Sequence, residues 1–557
     1  MKAELVSAWF SSLVKIMPDT PVSETPYTQG ETLRGERFNF QLMLHSRSMH
    51  NRWAEFRLET DLPCPLSVRQ VGLVPVAFTG FSPCDKDVIS SRSGIFPDRL
   101  LPLPTQKVRI VIRRNIGLWF TADIPEDCPP GRYSVRLHFT VHPDDCDEEC
   151  RRIQRTEHFE SPVFQLQVLT PVLPPLRLKV TQWFHADCLS AVYKVPMWSE
   201  KHWSLMERFL KNAAMHGMNM VLTPLLSLTL NVLPGCRREL SQLLLVSRRQ
   251  GRYNFDFFRF DRFVRLAEKC GLTYFEISHF FSQWGAAFAP PVEVDGELLF
   301  DGSVPGDSPE YLRLLEELLP KLKEHLKELG IAGRTVFHCS DEPGKQHTET
   351  YRRAMAFLRR HLPKSEFRIL DAVNDSSVCR ECGIDTPVPL TVQLHRFRGV
   401  KVPERWTYYC CVPVKNAPNR FIHFPSSRNR IFGTLLWKYR LDGFLHWGYN
   451  FYFEALSRRT IDPEKDQTSG DFYPPGDAFL VYPGENGTPI DSIRHEVFLE
   501  ALQDFRALDL LAGMTTQKNV RSLLSRWCGR LTMTEYPRGE RNVLALRHRI
   551  NQAIVLA

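Results

Sequence analysis

Long apolar runs are missing from this chain. No stretch reaches the roughly 20 apolar residues that a membrane-spanning helix needs, so no membrane span is expected. The start, Met1-Lys2-Ala3-Glu4, carries one lysine and then an acid, and serines interrupt the apolar run from Leu5 to Val14. That run has neither the apolar core nor the small-residue cleavage site of an export signal. An excess of one charge is missing too. The 71 Lys and Arg exceed the 63 Asp and Glu by only 8 over 557 residues, and the signs are interspersed. This excludes a basic arm that tracks phosphates, and no nucleic-acid partner is expected. The 14 cysteines lack metal-site spacing: Cys379-x-x-Cys382 stands alone and Cys410-Cys411 are adjacent, whereas a structural zinc site usually takes two such pairs. Unpatterned cysteines without an export signal predict reduced thiols in the cytoplasm. H-E-x-x-H, G-x-S-x-G and Walker loops are also absent, so no metal and no cofactor is expected.

What is present is the composition of a folded enzyme, 43% hydrophobic and 24% charged, not that of a disordered chain. Residues 1–172 carry short alternating runs, among them Phe38–Leu44, Lys107–Ile112, Gly131–Phe139 and Val163–Val168, separated by Pro, Gly and Asp. They predict an antiparallel β-sandwich. Leu169-Thr-Pro-Val-Leu-Pro-Pro-Leu176 reads as a stiff linker. The texture then alternates. Strands are expected at 177–184, 218–225, 273–281, 335–340, 368–374, 388–395, 406–413 and 443–448, with helical stripes such as Leu312, Leu315, Leu319, Leu322, Leu326 and Leu329 between several of them. Pro320 should kink that helix. Eight strands alternating with helices over 173–512 fit a (β/α)8 TIM barrel, closed by a helix at about 490–512. Residues 513–557 read as a basic helical tail packed on the barrel, its arginines (Arg521, Arg526, Arg530, Arg547, Arg549) solvated.

In such barrels the chemistry sits where strands end. The fourth strand runs Thr335-Val-Phe-His-Cys-Ser-Asp341-Glu342-Pro343-Gly344. At a strand terminus the pleat stops, so both carboxylates can face the mouth, and close acids keep a proton near neutrality as a general acid requires. The competing interpretation is that Asp341 caps the next helix with Glu342 in its first turn. Other strand ends are aromatic and polar: Trp183 and His185, His279 and Trp284, Tyr408, and Trp447 with Asn450. Such a mixture suits sugar rings, although each indole can equally be core packing. Lone histidines such as His216 and His338 read as satisfied core or surface residues. Cys188 and Cys339, near strand ends, leave a Cys–His nucleophile open.

Three segments in order carry a resemblance: Phe275-Glu-Ile-Ser-His-Phe-Phe-Ser-Gln-Trp-Gly285, Ser340-Asp-Glu-Pro343 and Trp437-Lys-Tyr-Arg-Leu-Asp-Gly-Phe-Leu-His-Trp-Gly448, with Arg34-Gly-Glu-Arg-Phe-Asn-Phe-Gln41 before them. Together they resemble the family 123 glycoside hydrolases over nearly the whole chain. The resemblance implies a β-sandwich followed by a (β/α)8 barrel and an exo-β-N-acetylgalactosaminidase activity, on a glycan or oligosaccharide with a terminal 2-acetamido sugar. It further implies that Asp341 orients the acetamido group while Glu342 is acid and then base. Two other readings stay open: a glycosidase in which Asp371 or Glu276 is the nucleophile or base, and a non-catalytic glycan-binding protein.

Overall fold

The computed structural model describes residues 5–22, 24–47, 50–77, 85–143, 156–233, 238–283 and 285–557. Two compact units divide the chain. One holds residues 1–176, 414–439 and 490–557; the other holds 177–413 and 440–489.

In the first unit, eleven strands are described: β1 Leu5–Ser11, β2 Gln29–Arg34, β3 Arg37–Ser46, β4 Arg52–Thr60, β5 Leu66–Val76, β6 Gly94–Pro102, β7 Lys107–Ile110, β8 Asn115–Asp123, β9 Gly131–Pro143, β10 Glu157–Glu160 and β11 Phe164–Val172. They form two sheets, β1-β3-β8-β5-β6 and β2-β11-β9-β4-β7, with β10 beside β9. The alternation works as expected. In β4 the residues read Ala54 and Phe56 inward, Glu55 and Arg57 outward, and the inward rows of both sheets meet in one core around Trp9, Phe40, Phe120 and Phe164. One pairing departs from the antiparallel expectation: β2 runs parallel to β11.

The later segments of this unit are helical. Ser426–Lys438 packs on Ile493–Met514 so closely that a Cβ on Gly433 would lie 1.7 Å from the Ala501 carbonyl oxygen. Glu540–Leu556 contacts both helices and strands β2 and β11. Arg547 on that helix is not solvated as expected. It is 6% exposed, bonds Asp504 at 2.8 Å and pairs with Glu36, while Arg430 bonds Asp504 and Glu500 at 3.1 and 3.0 Å. A buried arginine persists only where its donors are met.

The second unit is built on an eight-stranded parallel sheet. Its members are β12 Lys179–Gln182, β13 Met220–Thr223, β16 Tyr274–Ile277, β19 Thr335–Phe337, β20 Arg368–Ala372, β21 Thr386–Val388, β22 Trp406–Tyr408 and β23 Gly443–His446. Two hairpins intervene, β14 Leu245–Arg249 with β15 Arg252–Asp256, and β17 Val292–Val294 with β18 Glu297–Phe300. The order β21-β20-β19-β16-β13-β12-β23-β22 is sequential around a ring. A parallel bridge from Leu390 to Tyr408 joins its two ends, as a TIM-like barrel requires. The sixth strand ends earlier than expected, because Thr391–Phe397 is a 3-10 helix. Leu390 at its cap and Tyr408 share the inner cluster with Trp183, Leu222, Val336, Leu370 and Leu445. The helix Pro309–Glu328 continues through Pro320 as one element with Leu318, Leu319 and Leu322 buried on its inner side.

Among the described residues no helix is long and apolar enough to cross a membrane. One prediction follows from the helix contact in the first unit. Gly433→Ala forces a methyl into backbone that has no flexible end to yield, so the urea midpoint should fall by the equivalent of about 1–3 kcal/mol. An unchanged midpoint would show that the two helices do not pack this closely.

Candidate active site

The C-terminal ends of the barrel strands converge on the Asp341–Glu342 pair. Strand β19 stops at Phe337, a 3-10 turn capped by Gly344 follows at Lys345–His347, and the next α-helix begins at Thr348 with no side-chain cap. Neither acid therefore caps it. Asp341 is partly buried, and burial together with the charges of Glu342 and Asp371 holds its carboxyl well above the ordinary range. Glu342 is exposed and has a left-handed backbone, φ 46°. A bulky residue is seldom held there without compensation, and such strain is typical of functional turns. Here the compensation is a hydrogen bond from the Tyr408 hydroxyl, at the end of β22, to the Glu342 carboxylate. Asn374, just beyond β20, donates to the same hydroxyl oxygen at 2.9 Å and accepts from Leu390 N–H at 2.9 Å. Burial and the Glu342 charge keep Tyr408 protonated, hence a donor.

Beneath the pair lies a closed ionic cluster. His338 is fully enclosed. Its Nε2 is 3.1 Å from Glu276 Oε2 and its Nδ1 is 3.3 Å from Asp371 Oδ1. Trp183 Nε1 donates to Glu276 Oε2 at 3.1 Å. Asp371 also accepts from the Cys339 N–H at 3.1 Å and from the Tyr351 hydroxyl. His279 stacks on His338, ring centroids 4.4 Å apart and 18° from parallel. His338 is a satisfied core histidine, as expected, and its partners lie on two neighbouring strands. His279, His338 and Asp371 each bring one donor atom within 4.8 Å of the others. Both His338 nitrogens are already engaged by carboxylates, so a cation there would have to displace existing bonds.

The remaining sequence-derived residues sort by what they touch. Trp447 is partly exposed, donates Nε1 to Asp477 at 3.0 Å, and packs beside Tyr473 and Phe451 at 5.0 Å. Tyr473 in turn donates to Asn231 at 3.1 Å. His185 and Asn450 are buried against each other: Asn450 accepts from the His185 N–H at 2.8 Å and donates to its carbonyl at 3.0 Å. His185 Nε2 lies 2.9 Å from the Trp447 carbonyl oxygen. Burial and nearby Arg238 push its ring down to about 3, so it is neutral. Trp284 lies outside the described residues. Cys188 and Cys339 are buried with thiols pushed well above the ordinary range by desolvation, the opposite of an activated nucleophile. Asn374, Asn231, Tyr473 and Asp477 were not anticipated. Asn374 was within reach, because it is the polar residue ending the fifth strand; the other three sit in long loops without a strand-end signal.

Residues 183–511 match the profile of the glycoside hydrolase 123 catalytic domain. The chain belongs to glycoside hydrolase family 123. A family 123 glycoside hydrolase from Clostridium perfringens, studied for glycolipid glycan hydrolysis, has the same fold: TM-score 0.71 at 15% identity, covering 99% of this chain and 98% of that one. A β-galacturonidase from Eisenbergiella tayi (TM-score 0.32, 8% identity, 90% and 98% covered) and a β-glucuronidase from Bacteroides uniformis (0.30, 10%, 82% and 48%) are similar only distantly. No curated protein matches the chain.

For this family 123 chain the site geometry makes a specific prediction. Tyr408→Phe removes a hydrogen bond to a charged carboxylate, an interaction of about 1.5–3 kcal/mol. Glycosidase kcat should fall roughly ten- to hundredfold. A variant with wild-type kcat would mean that Tyr408 does not govern Glu342.

Proposed function

We propose that this chain is a retaining exo-β-N-acetylgalactosaminidase or hexosaminidase that uses the 2-acetamido group of its substrate as the nucleophile. The observation that carries this reading is that the acids nearest the Asp341–Glu342 pair in strand order are already engaged by the scaffold. A conventional retaining glycosidase needs a second carboxylate about 5 Å away across the scissile bond. Glu276 and Asp371, the two carboxylates nearest in strand order, are fully buried and tied to His338, Trp183 and Tyr351. Neither is open to a sugar.

In the free protein burial and the Glu342 charge hold the Asp341 carboxyl well above its ordinary range, so Asp341 carries the proton. A bound acetamide N–H donates to Asp341 and favours its ionised form, which leaves the proton on Glu342. The acetamide carbonyl oxygen then attacks the anomeric carbon. The glycosidic C–O bond breaks as Glu342 protonates the leaving oxygen. Asp341 carries the negative charge that offsets the oxazolinium ion. Water next attacks the anomeric carbon, Glu342 takes its proton, and the acetamido group is restored with the anomeric configuration retained. Tyr408 orients Glu342. Trp447, with Tyr473 beside it, offers the flat apolar face for the sugar ring. His185, His279 and Asn450 act as supports behind this face, since their polar atoms or rings are buried. The substrate class is a glycan or oligosaccharide ending in a 2-acetamido sugar, and no cofactor is invoked.

Two measurements test the reading. Glu342→Gln should abolish turnover of an aryl β-N-acetylgalactosaminide by at least about 10³-fold while calorimetry still detects binding. A thiazoline that mimics the oxazolinium should inhibit the wild type competitively. Cleavage of plain galactosides with indifference to every 2-acetamido sugar would contradict the proposal.

A further inference from the structure

The Glu276–His338–Asp371 cluster performs no step in the mechanism above, yet it lies directly under the pair on which that mechanism depends. It rests on three neighbouring strands, β16, β19 and β20. We propose that His338 is a positioning residue: an imidazolium clamped between Glu276 and Asp371 that supplies the counter-charge allowing the partly buried Asp341 to ionise when a 2-acetamido sugar binds. This inference rests on the functional reading given above.

The geometry has two parts. The first is mechanical. Asp371 accepts from the Cys339 N–H while it holds His338. The chain leaving β19 is therefore pinned immediately before Asp341 and the left-handed Glu342. The second part is electrostatic. The groups facing His338 are Glu276 from β16, His279 from the segment after it, Asp371 from β20, the indole of Trp183 from β12, and Asp341 on its own segment. Desolvation works against a charged ring, and the bonds from Asp371 and Glu276 outweigh it, raising His338 to about 9. His279, stacked against it, is driven well below the ordinary range by burial and by the His338 charge, so one ring is cationic and its neighbour neutral. The Asp341 carboxyl feels His338 as an influence favouring its ionised form against Glu342 and Asp371. Without a cation at that point, Asp341 would face two or three negative groups and keep its proton. It then could not accept from an acetamide N–H.

The test has one arm that needs no turnover. Nitrogen NMR of the wild-type protein, with the His338 signal assigned by its loss in His338→Gln, should show an imidazolium at about pH 7.5, above the usual histidine range. Glu276→Gln should bring its titration downward. In the second arm, His338→Gln that retains the wild-type circular dichroism spectrum should lower kcat for an aryl 2-acetamido glycoside about tenfold or more, change KM less, and move the acidic limb of kcat upward by about one pH unit. A neutral His338 ring at about pH 7.5 overturns the inference. So does a folded His338→Gln variant whose pH limbs stay in place. If His338→Gln does not fold, an unchanged His338 titration in Glu276→Gln overturns it instead. Absence of any 2-acetamido glycosidase activity in the wild type would refute the functional reading, and the NMR arm would still decide whether the cation is there.

Discussion

Two carboxylates on consecutive residues repel, and the rim of this barrel is organised around keeping them together. At an effective dielectric constant of about 20, unit charges about 5 Å apart repel by about 3 kcal/mol, and burial together with the Glu342 charge holds the Asp341 carboxyl well above its ordinary range. Each neighbour then handles one side of the problem. Tyr408 bonds Glu342 from β22, Asn374 fixes Tyr408 from β20, and the strained φ of Glu342 turns its side chain away from the strand's own alternation. Below, the carboxylates that would add to the repulsion are bound to His338.

The same arrangement explains why buried acids in one barrel end can have different fates. Asp371 takes bonds from a ring, a phenol and a backbone N–H, and Glu276 takes them from a ring and an indole. Both are committed to the scaffold. Asp341 accepts a backbone N–H from Glu342, and the His338 charge also favours its ionised form. It is also the one of the three that is only partly buried, so in the proposed mechanism it is the acid that an acetamide N–H can reach.

Much of this was legible in the chain, for physical reasons that also mark where reading stopped. The eight barrel strands show as apolar runs because each is covered on both faces, and the Asp-Glu step stands out because it follows such a run directly. The sixth strand was misplaced because Thr391-Val-Gln-Leu394 has the β-branched texture of a strand and forms a 3-10 helix. The hairpins β14–β15 and β17–β18 lie in insertions whose short strands pair only with each other. The parallel β2–β11 pair and the Arg547–Glu36 ion pair depend on partners more than a hundred residues away, and no local pattern announces them. His338 looked ordinary for the same reason: Glu276 and Asp371 are 62 and 33 residues distant, and only strand order brings them together.

The central claim is that the sugar's own acetamide oxygen is the nucleophile. Replacing hydrogens of its methyl group by fluorine weakens that oxygen without altering the leaving group or the contacts of the ring. The most direct measurement is therefore kcat/KM for aryl β-glycosides bearing acetamido, monofluoro-, difluoro- and trifluoroacetamido groups at carbon 2. The account predicts a steep, continuous decline along the series, with the trifluoro member nearly inert. Rates that stay level across the four would contradict it and return the nucleophile to the protein.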